Sequence, residues 1–147
     1  MWKRPLITII MFLLIYSMIS TVFAILNKLP YEFGGTGSPD TVAADSLTHG
    51  TAISPPITVL ILLAVLAILT SRRGWIGTVA IIGVILLAIL FLVAGLGEPI
   101  IWRTLQARTF GMFEFAVLGL SLVGFILSLC TLIFGYRELI ERRRAQR

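Results

Sequence analysis

One cysteine, one histidine and few charges limit what this chain can do. Cys130 stands alone, so no disulfide forms within the chain and no CxxC redox pair exists. His49 is the lone histidine and has no cysteine or acidic cluster near it in sequence, a poor basis for a metal site. No apolar run carries a histidine, which leaves a transmembrane haem without that axial ligand. The serines of those runs, Ser17, Ser20, Ser121 and Ser128, have no neighbouring His or Lys to activate them as nucleophiles. Only 13% of the 147 residues are charged, about half the share of a soluble domain.

What is abundant is apolar sequence, at 58% of the chain and a mean hydropathy of +1.01. Four runs, approximately 5–26, 55–71, 75–96 and 114–136, are long enough or nearly so to cross a bilayer. They predict an all-α polytopic membrane protein, one four-helix domain over 1–147. A short interfacial helix is predicted between the third and fourth spans, where Glu98 precedes Pro99 and the apolar Ile100, Ile101 and Trp102. The net charge of +5 does not point to nucleic acid, because its placement follows membrane topology. Nine of the twelve Lys and Arg lie in residues 3–4, 72–73 and 137–147, the ends and alternate connections that belong in the cytoplasm. The basic tail 137–147 suits anionic lipid, and Glu138 stands four residues before Arg142.

The first span follows a basic start, and Val22-Phe23-Ala24 resembles a signal cleavage site. Its uncharged run of 22 residues exceeds a typical signal core, so a retained anchor is expected. Residues 28–53 form the long outer loop, rich in Gly, Pro, Ser and Thr, and are expected to be a linker more than a cap over the bundle mouth. Ser54-Pro55-Pro56 opens the second span, and Arg72-Arg73-Gly74 turns it into the third at Trp75.

Two patterns single out candidate functional residues. From Glu114, steps of three and four reach Val117, Ser121, Gly124, Ser128, Thr131 and Gly135, a stripe of mostly small residues. In lipid, helices associate where small residues let backbones approach, so this stripe is expected to be a packing seam. Ser17, Ser20 and Ala24 make a second seam in the first span. The other pattern is Glu98, Arg103, Arg108 and Glu114, two acids and two bases in 17 residues that sum to zero. Mutual ion pairing at the outer interface is the simpler account, and a polar entrance to a cavity is the other.

Four helices in a short chain resemble the small multidrug transporters, but those carry a membrane-embedded glutamate in the first helix, and residues 5–26 contain no acid. Thiol-oxidising four-helix proteins need cysteine pairs, which are absent. The sequence therefore favours a non-enzymatic accessory subunit without cofactor, packing against itself or another protein in the cell membrane. A small transporter or channel entered near Glu98 and Glu114 is the alternative.

The charge distribution places both termini in the cytoplasm. Cysteines introduced singly at Ser38 and Gln146, in a Cys130→Ser background, should react with an impermeant thiol reagent on intact cells only at Ser38. Labelling at Gln146 would invert the topology.

Overall fold

Long uninterrupted Leu, Ile, Val, Phe and Ala runs have no choice in lipid but to satisfy their own backbone, and here they do so as helices. The computed structural model describes residues 5–32, 37–107, 109 and 111–145. Within these it is all-α, with one isolated bridge between Thr51 and Ser54 and no strands. Helix α1 covers Pro5–Leu26, α2 Val42–Thr48, α3 Ile57–Leu69, α4 Trp75–Gly97, α5 Pro99–Leu105 and α6 Met112–Ala145. Three of them, α1, α4 and α6, are long and apolar enough to cross a membrane. The 13 residues of α3 give only about 20 Å of helix, shorter than the 55–71 span expected from sequence.

Local chemistry sets the boundaries. Pro5 opens α1, where a missing N–H costs nothing. At its other end Lys28 adopts a left-handed φ of 51°, Lys28 N–H reaches the Ile25 carbonyl, and Leu29 N–H reaches that of Ala24. This double bond with a left-handed residue closes the helix, and Leu29 then packs with Ala24. Pro99 at the start of α5 follows Glu98, as the sequence predicts, and the indole N–H of Trp102 donates to the Leu96 carbonyl at 2.7 Å. That bond pins α5 back onto the end of α4.

The outer loop is not the linker expected from its composition. It contains α2, and Leu29, Val42, Ser46, Thr51, Ala52 and Ser54 are buried. A few apolar side chains suffice to fold it over the bundle, because each finds a partner on α1, α3 or α6.

The four longest helices form a ring in which α1 packs against α3 and α6, and α4 against α3 and α6. One cluster, Leu6, Ile10, Leu13, Leu63, Ala67, Ile81 and Val84, fills one end. It joins the start of α1, the end of α3 and the start of α4, the end where the basic segments lie. The opposite end holds a smaller cluster, Ala24, Leu29, Ala52 and Val117. On α6 the buried residues are Val117, Ser128, Thr131 and Gly135, and on α1 they include Ser17, Ser20 and Ala24.

The basic end is tied by Arg142. Its guanidinium donates to the carbonyls of Arg72, at 3.0 Å, and Thr70, and pairs with Glu138 at 3.2 Å. Those carbonyls belong to the turn after α3, where the helix leaves acceptors unmet. Gly77 makes the approach possible: a methyl group there would run into the Arg72 carbonyl and the Arg142 guanidinium.

Arg142→Ala should therefore lower the thermal unfolding midpoint in detergent, by a loss on the order of 1.5–3 kcal/mol for charged hydrogen bonds. Arg142→Lys should recover less than half, since an ammonium cannot fork to two carbonyls. An unchanged midpoint in Arg142→Ala would mean that the apolar cluster holds this end unaided.

Candidate cavity away from the basic end

Away from the basic end, the helices border a half-open cavity of about 570 Å³. Its walls come from three helices of the ring and from α5: Tyr16 and Ser17 of α1, Phe91 of α4, Ser121 and Gly124 of α6, and Trp102 of α5. The Ser54-Pro55-Pro56 entry to α3 and residues 49–53 of the folded loop close it from above, with Glu98 and His49 on that side. Leu13 and Ser128 mark its depth along α1 and α6.

Tyr16 sets the distance between α1 and α6. Its hydroxyl donates to the Leu120 carbonyl at 2.5 Å, and its ring lies on Gly124. A Cβ at Gly124 would stand 2.6 Å from the Tyr16 oxygen. The glycine is thus the recess that lets a large ring sit between two helices. Next to it, Thr21 and Ser54 bind the loop to α1. Their hydroxyl oxygens are 2.6 Å apart, so one donates to the other, and the second donates to the Ser17 carbonyl, which lies 2.8 Å from Thr21 Oγ1 and 3.1 Å from Ser54 Oγ. The side-chain hydroxyl of Ser17 is different: among the described residues it is buried with no hydrogen-bond partner.

The charged candidates divide. Glu98 is 6% exposed, and its Oε2 accepts the backbone N–H of Glu32 at 3.3 Å. The Glu32 carboxylate in turn pairs with Arg103. Glu98 and Arg103 are therefore linked through a residue of the outer loop. Glu114 is engaged at the start of its own helix, where Oε2 accepts the Gly111 N–H at 2.8 Å, an arrangement that suits the helix dipole. Arg108 lies outside the described residues. His49 stacks on Tyr31, with ring centroids 4.9 Å apart, and sits 3.7 Å from Asp45. Among the described residues, no three His, Cys, Asp or Glu side chains gather to hold a metal ion.

Sequence reasoning passed over Glu32, Tyr16 and Thr21, and it read Ser54 as a helix cap, whereas Pro56 directly precedes α3 and the Ser54 hydroxyl bonds to α1 instead. Glu32 carried a signal, an acid in the same outer region as Arg103. Thr21 stands four residues after Ser17, on the same face. Tyr16 offered none, since nothing in its neighbours marks it for Gly124. Comparison with known protein families, curated proteins and solved structures finds no match for this chain.

Gly124→Leu should destabilise far more than Leu122→Ala. The first drives a side chain into the Tyr16 ring, overpacking on the order of 1–3 kcal/mol or more. The second trims a residue that is 60% exposed and facing away from that contact. Both variants would be heated in detergent while the folded fraction is followed, and equal losses would place the α1–α6 contact elsewhere.

Proposed function

We propose that this chain is a four-span integral membrane protein that binds a small apolar molecule in the outer half of its bundle, without performing chemistry on it. The observation that carries the proposal is the cavity, whose volume of about 570 Å³ falls within the roughly 300–1,000 Å³ of small-molecule sites. Its walls are aromatic and aliphatic with a few polar groups, the usual composition of such sites.

The fourth crossing belongs to α3. Leu60, Leu63 and Ala67 are buried, and α3 packs on α1 and α4, which supports a crossing beside those two longer helices. Residues 54–56 and 70–71 extend it towards the roughly 30 Å of a hydrocarbon core. The 34 residues of α6, about 51 Å of helix, reach beyond that core and carry Arg142, Arg143 and Arg144 to anionic lipid. With the basic end in the cytoplasm of a cell-membrane protein, the cavity faces outward. Glu98, linked through Glu32 to Arg103, then forms the polar rim.

The accessory subunit favoured by the sequence requires a dry core and an exposed seam. Here Ser128, Thr131 and Gly135 are covered by helices of the same chain, and Ser17 and Ser121 border open volume. Both features support a small transporter or binding protein instead.

Single cysteines at Ser121 and Thr131, in a Cys130→Ser background, distinguish the two. In sealed, right-side-out vesicles a small thiol reagent added outside should modify Ser121→Cys about tenfold faster or more than Thr131→Cys, because reactivity follows access. Saturating naphthalene should slow the Ser121→Cys reaction. Two equally unreactive sites would restore the accessory reading.

A further inference from the structure

The identity of the occupant can be narrowed from the walls, on the premise that the cavity is a binding site. Hydroxyls inside apolar helices usually bond to the carbonyl four residues earlier. Thr21 does so to Ser17, Ser121 to Val117 and Thr131 to Leu127, all at 2.8 Å. Among the described residues Ser17 and Ser20 do not, and of these two Ser17, only 1% exposed, lines the cavity. A buried hydroxyl without a partner is costly, so a group that supplies one is favoured at that point.

The same walls restrict what that group is. The lining residues that neighbour Ser17 along α1, Leu13 and Tyr16, are uncharged, and the ionisable members of the lining, Glu98 and His49, belong to its loop side. An ion at that depth would lose its hydration without compensation, so the group must be neutral. A plain hydrocarbon chain gains little by moving from lipid into an equally apolar cavity. Affinity must come from shape and from the one polar contact. Aromatic walls on α1, α4, α5 and α6 (Tyr16, Phe91, Trp102 and Phe125) favour flat rings, which stack on them.

We propose that the cavity selects compact, neutral ring compounds bearing a hydroxyl or carbonyl oxygen, and that the Ser17 hydroxyl is the group that recognises this oxygen. Such a molecule enters from the outer side past residues 49–53, stacks its ring between Phe91 and Phe125, and brings its oxygen to α1. The Thr21 and Ser54 hydroxyls, both turned to the Ser17 carbonyl, hold that turn of the helix in place.

The test uses naphthalene and 1-naphthol, equal in shape except for one hydroxyl. The full chain is reconstituted in lipid with Trp2→Phe and Trp75→Phe, leaving Trp102 in the cavity wall as the fluorescent reporter. Both probes should change its emission saturably. In Ser17→Ala the affinity ratio of 1-naphthol to naphthalene should fall about three- to tenfold, the value of one hydrogen bond, with naphthalene itself little changed. Alanine preserves the α1 backbone and its contacts with Thr21 and Ser54, and comparing ratios cancels partitioning into the bilayer. An unchanged ratio with saturable binding would overturn the role of Ser17, its hydroxyl being met by water, and leave the cavity as a site. No saturable response to either probe, in either protein, would overturn the binding function as well.

Discussion

Three distant pieces of the chain meet at the guanidinium of Arg142, and the arrangement of the whole bundle follows from that junction. The turn after α3 presents carbonyls that its own helix cannot satisfy, and the tail of α6 brings the donor that meets them. Close approach there is possible because Gly77 has no side chain in the way. With α3, α4 and α6 gathered at one point, the Leu, Ile and Val side chains of the adjacent cluster fill the space between them. The other end is bridged by α5, which the Trp102 indole fastens to α4, and by a loop folded across the top.

Much of the helical architecture was legible because lipid imposes simple rules. Uncharged length marks the spans, and small residues at three-four spacing mark where backbones meet; the buried residues of α6 lie on that stripe. The stripe on α1 continues through Leu6, Ile10 and Leu13, which a search for small residues passes over. The extent of α3 was harder to read. Its apolar run is short, and how far the flanks continue it depends on neighbours and not on composition.

The loop and the cavity were not legible for a different reason. A segment rich in Gly and Pro looks unstructured locally, yet Leu29, Val42 and Ala52 are buried by residues far along the chain. Arg103 finds its partner 71 residues away, on Glu32. A cavity has no residue pattern at all: it is the space left when Tyr16 lodges on Gly124 and holds two helices at a fixed separation. Once that space exists, the serines bordering it cease to be equivalent, since Ser121 bonds to the Val117 carbonyl of its own helix and Ser17 does not.

The length of α6 has a mechanical consequence. It is one unbroken helix from Met112 to Ala145, and towards its basic end it meets α4 closely at Gly135, where even a methyl group would press on Ile85 at 2.9 Å. Taken as a fulcrum, Gly135 divides the helix into an outer arm of about 21 Å to Ser121 and an inner arm of about 10 Å to Arg142. A rigid rod turning there moves its ends in opposite directions and in that proportion. If Ser121 is displaced by about 2 Å, Arg142 shifts by about 1 Å the other way, which exceeds the distance range a hydrogen bond tolerates. Cavity width near one end of the helix and the grip of the guanidinium near the other are, for a stiff helix, a single coordinate.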